Sequence, residues 1–318
     1  MIGVVGAGAF GTALAVALAR SGQDVRLWAR SAAQVSEMRV TRRNEGRLPG
    51  VDLPETVTVT AEIADLAGAG AVLLALPMQQ MRGFLGEHAA HLDGRVLVAC
   101  CKGLDLATLT GPAALIRSAC PKARAAILTG PSFAADIARG LPTALTLAGA
   151  FDLTALQAQL STPVLRIYGQ SDVIGAELGG ALKNVIAIAC GIVMGAGLGE
   201  SARAALMTRG YAEMLRLARV LGARPETLAG LSGLGDLVLT CTSQQSRNFR
   251  HGQAIGSGQA PDARATVEGI ATARAVTRLA EARGLDLPIS RMVSAVVSHA
   301  MPLDDAIRTL MSRPLTQE

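Results

Sequence analysis

Apolar residues recur along this chain with two different periods, and the change from one to the other divides it. In the first half, short continuous apolar or β-branched runs at residues 2–5, 25–28, 56–60, 71–76, 96–99, 125–128, 144–147 and 164–167 predict strands. Between most of them lie amphipathic or apolar stretches, such as residues 10–21 and 79–90, that predict helices. Strands without polar alternation, separated by helices, indicate a mainly parallel sheet covered on both faces, an α/β fold of the doubly wound Rossmann type. From Ser171 onward only helical spacing remains. Segments 173–194, 200–221, 266–283 and 289–300 are rich in Ala, Leu and Arg, and Gly-rich turns at 230–235 and 256–258 separate them. The pattern predicts an α/β domain over 1–170 and an all-helical domain over 171–318.

Composition supports that picture. Half the residues are apolar and 17% are charged, so a large core can be buried; aromatics are only 3%, which leaves Ala, Leu, Val and Gly to pack closely. The net charge is +5, yet no basic run exceeds Arg42-Arg43, so nucleic acid is not an expected partner. Cys100, Cys101, Cys120, Cys190 and Cys241 form no CxxC pair, as in a reducing compartment. No basic segment precedes the first strand, and a cytoplasmic location is expected. In the helical half the uncharged stretch at residues 185–199 carries four glycines and is shorter than the ~18 residues a membrane span needs, so a buried helix is expected and no membrane insertion.

The sharpest local signal is Gly6-Ala7-Gly8-Ala9-Phe10-Gly11, directly after the first strand and opening a helix. Its glycines permit a tight turn, close approach of a pyrophosphate and close helix–strand packing, while the helix N-terminus offers free N–H groups to phosphates. In that context the motif points to dinucleotide binding rather than to a mere structural turn. Where NAD-specific folds usually end the second strand with an acid, this chain has Trp28-Ala29-Arg30-Ser31. A guanidinium and a hydroxyl suit a 2′-phosphate, which favours NADP(H), with NAD(H) as the alternative; the plain reading of Arg30 is a solvated strand end.

Only three of the 30 basic residues are lysine, Lys102, Lys122 and Lys183, and only Asn44, Asn184 and Asn248 are asparagine. Lys102 follows the strand at 96–99, Gly130-Pro131-Ser132 follows that at 125–128, and Lys183-Asn184 interrupts an otherwise apolar helix. A buried ammonium needs a partner or a task, although a lysine can also snorkel outward. Lysine, unlike arginine, can exchange a proton near neutrality. Asp236 follows a glycine turn and could be only a cap. Ser246-Arg247-Asn248 is a natural phosphate fork or simply a polar loop. His88 and His91, three apart beside Glu87, read as a solvated face, and no metal is expected.

Together these residues resemble bacterial NAD(P)-dependent glycerol-3-phosphate dehydrogenases. The resemblance runs from Gly6 to about Pro288 through GAGAFGTALA at 6–15, WAR at 28–30, CKG at 101–103, LTGPSFA at 128–134, ELGGALKNVIAIACGI at 177–192, GLSGLGDLVLTCTS at 230–243, SRN at 246–248 and VEG at 267–269. It implies dinucleotide contacts at Ala9, Phe10, Arg30, Lys102, Ala134, Arg247 and Glu268. It implies a substrate pocket of Lys102, Gly130, Ser132, Lys183, Asp236, Ser246, Arg247 and Asn248. Lys183 would exchange the C2-oxygen proton, held by Asp236 and Asn184, with Lys102 orienting that oxygen. The implied reaction interconverts dihydroxyacetone phosphate and sn-glycerol 3-phosphate, in a homodimer that supplies phospholipid synthesis. Ala9-Phe10 stands where the family more often has Ser before an aromatic, and Cys101 where Thr is commoner. The rival readings are a related dehydrogenase for a phosphosugar acid or 3-hydroxyacyl substrate, and a non-catalytic NADPH sensor.

Overall fold

Burial on both faces is what the continuous apolar strands require, and an eight-stranded sheet between helices supplies it. The computed structural model describes residues 1–262 and 266–312; residues 263–265 and 313–318 of the expected helical half lie outside them. The strands are β1 (Ile2–Val5), β2 (Val25–Trp28), β3 (Arg43–Asn44), β4 (Leu48–Asp52), β5 (Val57–Thr60), β6 (Ala71–Leu74), β7 (Val96–Ala99), β8 (Arg124–Thr129), β9 (Thr143–Gly149) and β10 (Leu165–Gln170). Helices α1 (Ala9–Arg20), α2 (Ala32–Thr41), α3 (Met78–Leu92), α4 (Pro112–Ala119), α5 (Ala134–Ala138) and α6 (Thr154–Leu160) alternate with them.

All eight expected strands join one sheet, in the order β10-β9-β8-β7-β6-β1-β2-β5. Its neighbours run parallel except β8 and β9, which are antiparallel. Ile2, Val4 and Leu27 face one core with Leu14 and Leu18 of α1; Val5, Leu74 and Leu97 face another with Met81 and Ile116. The chain leaves β1 on the β2 side and returns on the β6 side, so the crevice beyond the carboxyl end of β1 is a topological switch point, where α/β sheets bind ligands. The hairpin of β3 and β4 has no counterpart among the expected strands. Its polar, two-residue first strand carries no apolar period to read.

The described residues after Gln170 are helical or irregular. They form α7 (Val173–Gly195), α8 (Glu200–Val220), α9 (Pro225–Ala229), α10 (Asp236–Thr242), α11 (Arg247–Gly256), α12 (Glu268–Ala282), α13 (Pro288–Val297) and α14 (Leu303–Met311), with a π-helical turn at Leu231–Gly235. Asp172 caps α7, accepting the Gly175 N–H at 2.9 Å. With 23 residues, α7 is long and apolar enough to cross a membrane, contrary to the expectation from the shorter uncharged stretch. However, 89% of its apolar window is buried inside the protein. Small residues make that burial possible. An added Cβ on Gly191 would lie 2.0 Å from the Phe249 carbonyl oxygen of α11, and one on Gly252 would lie 2.0 Å from that of Ile188 on α7. The two helices therefore cross backbone to backbone.

Candidate active site

The glycine motif divides its three tasks among its three glycines. Gly6 has φ +103°, and a Cβ there would strike the Ala75 carbonyl oxygen at 2.7 Å. At Gly11 a Cβ would lie 2.1 Å from the Gly6 oxygen, which is the close packing of α1 on β1. Gly8 differs: a Cβ there would meet nothing within 4 Å. No internal packing requires glycine at the N-cap of α1, where the φ of −78° suits any residue. No side chain caps that helix. An open N-terminus beside empty space at a switch point is what a pyrophosphate needs, so the residues present fit a dinucleotide. Arg30 is exposed just past β2 and Ser31 caps α2, accepting the Gln34 N–H at 3.3 Å. Trp28 points inward, against Phe84 and His88. His88 is therefore part of an aromatic cluster (ring centroids 4.7 Å from Phe84, side chain 17% exposed) rather than of a solvated face.

The second constellation lies where α7 meets the carboxyl ends of β7 and β8. Glycine again permits the approach: a Cβ on Gly180 of α7 would lie 2.7 Å from Thr129 Oγ1 and 3.4 Å from Lys102 Cγ. One turn on, Lys183 is 7% exposed. Its Nζ donates to Asp236 Oδ1 at 2.8 Å and to Thr240 Oγ1 at 2.7 Å. The other carboxylate oxygen of Asp236, a fully buried residue, accepts from Lys102 Nζ at 2.5 Å. Lys102 also donates to the Gly130 carbonyl at 3.0 Å, as does Ser132 Oγ at 3.3 Å. Gly130, at φ +133°, has a conformation that favours glycine. Asp236 is delivered by the π-helical turn, whose Gly233 abuts the Leu228 carbonyl so closely that a Cβ would lie 2.0 Å away.

Two ammonium groups thus share one carboxylate in a nearly water-free setting. Burial lowers the pKa of Lys183 to about 8; Asp236 opposes the shift and Lys102 adds to it. That value leaves both protonation states accessible near neutrality.

The expected phosphate fork stands at the start of α11. Ser246 caps the helix, accepting the Phe249 N–H at 3.2 Å, and Arg247 is exposed. Asn248 is buried and engaged on both sides: it donates to Asn184 Oδ1 at 2.8 Å and accepts the Gly269 N–H at 3.0 Å. Asn184, expected to hold Lys183, is turned instead to Asn248, because adjacent residues on a helix point in different directions. Glu268 opens α12, where burial raises its carboxyl pKa and Arg247, Lys102 and Lys183 pull it back. Glu177, the acid nearest before Lys183, stays apart from the cluster; it accepts the Ala113 N–H of α4 at 2.7 Å, and burial pushes it up to about 7. Ala9 and Phe10 are the first residues of α1 and Ala134 the first of α5. Thr240 was missed by the sequence reading. Its signal is its spacing, one helical turn beyond Asp236 within α10.

Comparison with known proteins identifies the family. The model for the N-terminus of NAD-dependent glycerol-3-phosphate dehydrogenases matches residues 1–153, and that for the C-terminus matches residues 172–308. The chain belongs to this family. It is 65% identical to the glycerol-3-phosphate dehydrogenase (NAD(P)+) of Cereibacter sphaeroides, over 100% of both chains. It is 60% identical to that of Paracoccus denitrificans, over 100% of this chain and 99% of the other. The crystal structure of glycerol-3-phosphate dehydrogenase from Coxiella burnetii superposes with a TM-score of 0.93 at 36% identity, covering 98% of each chain. A D-mandelate dehydrogenase structure, 16% identical with a TM-score of 0.65, shares the fold alone.

Proposed function

We propose that this chain interconverts dihydroxyacetone phosphate and sn-glycerol 3-phosphate with NAD(P)H, and that residues 1–170 bind the dinucleotide while 171–318 shape the substrate pocket. The observation that carries the chemistry is the buried chain Lys102–Asp236–Lys183. A bound nicotinamide supplies the hydride for C2 in reduction and accepts it in oxidation. Lys183 Nζ gives the C2 oxygen its proton in reduction and takes it back in oxidation. Asp236 and Thr240 hold Nζ in place, and Lys102, tied to Gly130, orients and polarises the C2 oxygen. Ser132 completes that side of the pocket. Arg247, at the capped start of α11, takes the phosphate, with Ser246 and the remaining N–H of Asn248 beside it. Gly6, Gly8, Ala9, Phe10 and Gly11 receive the pyrophosphate, Arg30 the ribose end, and Ala134, Arg247 and Glu268 the rest of the dinucleotide.

In this reading NADP(H) is the preferred cofactor, because Arg30 lies just past β2, where an acid would select NAD(H). The enzyme works as a cytoplasmic homodimer and feeds phospholipid synthesis. Steady-state assays with dihydroxyacetone phosphate and each cofactor in turn test the proposal. Turnover with the phosphorylated ketone, faster with NADPH, is the expected result. Dinucleotide binding without turnover would instead make the chain a sensor.

A further inference from the structure

The hairpin absent from the expected strands carries a residue with an unusually complete set of hydrogen bonds. Asn44 of β3 is 3% exposed. Its Nδ2 donates to the Ala7 carbonyl at 3.0 Å and to Thr12 Oγ1 at 2.7 Å. Its Oδ1 accepts from Gln34 Nε2 at 3.1 Å, and Gln34 Nε2 also donates to the Ala7 carbonyl, at 2.9 Å. Two side-chain amides, one from the hairpin and one from α2, therefore converge on a single backbone oxygen in the middle of the glycine motif. Thr12, on the first turns of α1, is fully buried and joins the helix to the same network.

The choice of that oxygen matters. A trans peptide is planar, so the Ala7 carbonyl and the Gly8 N–H point in opposite directions from one rigid unit. Anchoring the oxygen to Asn44 and Gln34 aims the Gly8 N–H away from them. Gly8 has φ −78° and Gly6 φ +103°. We infer that Asn44 is a positioning residue for dinucleotide binding: with Gln34 it orients the Ala7–Gly8 peptide so that the open end of α1 is preorganised for a pyrophosphate. It touches no reacting atom. The inference rests on the reading of this motif as the dinucleotide site, and it assigns the hairpin a task that packing alone does not require.

The experiment measures cofactor affinity and KM for NADPH and NADH, KM for dihydroxyacetone phosphate, kcat at saturating cofactor, and thermal stability, in wild type, Asn44→Ala, Asn44→Asp and Gln34→Ala. Asn44→Ala should raise cofactor KM roughly 10-fold, as expected for lost hydrogen bonds. The factor should be the same for NADPH and NADH, because the turn serves the part common to both. The kcat at saturation and the KM for the ketone should stay within about twofold. Asn44→Asp keeps the acceptor for Gln34 but sets a carboxylate against the Ala7 oxygen and near the phosphates, so its loss should be larger. Gln34→Ala, at a half-buried site, should show a smaller loss of the same kind and serves if the Asn44 variants do not fold. A fall in thermal stability with unchanged cofactor KM in the folded variants would overturn the inference and make Asn44 a fold residue. Failure of the wild type to bind either dinucleotide would instead overturn the cofactor reading itself.

Discussion

The turn at Gly6–Gly11 and the cluster around Lys183 are both built with glycine, for opposite ends. At Gly8 an added Cβ would meet nothing within 4 Å among the described residues. At Gly179 and Gly180 the missing side chain lets α7 close on its neighbours; a Cβ on Gly179 would lie 2.4 Å from the Ser232 carbonyl oxygen. The electrostatics follow the same division. The N-terminus of α1 has no side-chain cap hydrogen bond, which suits an anion. The ammonium of Lys183, by contrast, is already matched inside the protein by Asp236 and Thr240. In the proposed function, the binding site is recognisable by what the protein leaves unused, and the proton-transfer site by how fully its charges are held.

The largest effect should come from breaking the closed site. Lys183→Arg keeps the charge but removes the proton that exchanges near neutrality, so kcat should fall on the order of 10²–10⁴, with NADPH binding unchanged. Exposed Lys122 serves as the control, and Lys122→Arg should be silent. Near-wild-type turnover in Lys183→Arg would move the proton to Lys102 or a water. Wild-type pH profiles test the same residue. Reduction needs Lys183 protonated, so its kcat/KM should fall as pH rises through about 8; oxidation needs it neutral and should rise through the same value. Profiles flat across that range in both directions would exclude Lys183 as the titrating group.

Removing the phosphate from the substrate should come next. Hydrogen bonds involving a charged group contribute ~1.5–3 kcal/mol, so dihydroxyacetone should be roughly 10–100-fold less efficient than its phosphate. Part of that loss should appear in kcat, because remote binding energy aids orientation. Equal efficiency of the two ketones would remove Arg247 from the phosphate role.

The glycine contrast itself can be tested with a pair of variants. Gly252→Ala forces a methyl into the Ile188 carbonyl and should cost ~1–3 kcal/mol of stability, read as a lower denaturation midpoint. Gly8→Val should leave the midpoint in place and weaken dinucleotide binding roughly 10-fold or more. A Gly8 variant that binds NADPH normally would contradict the open-site reading. The smallest effect expected is a matter of preference. Arg30→Asp should weaken NADPH roughly 10-fold more than NADH, the scale of one charged hydrogen bond. Equal weakening would show that Arg30 does not read the ribose end.

The architecture was legible because period and burial are coupled. Residues 2–5, 71–74 and 96–99 are apolar at every second and intervening position, and such strands have to be covered on both faces. The β3–β4 hairpin escaped notice because a two-residue strand has no period. Its Asn44 was conspicuous only as one of three asparagines. His88 misled for a related reason: spacing placed it beside Glu87 and His91, but its aromatic neighbours include Trp28 on a distant strand.

What the sequence determined by itself were the elements, the order of the two halves, the dinucleotide motif and the rarity of lysine that singled out Lys102 and Lys183. These are properties of residue type and short-range spacing, on which helix and strand periodicity depend. Only the tertiary structure decided which groups meet. Residues 102, 183 and 236 are far apart along the chain, and the close approach of α7 to β8 and to the π-helical turn makes Asp236 bridge two lysines rather than one. It also turned Asn184 away to Asn248 and set Lys183 titrating near 8. A pKa and a hydrogen-bond partner depend on desolvation and distance, which residues separated in sequence acquire only when the chain packs.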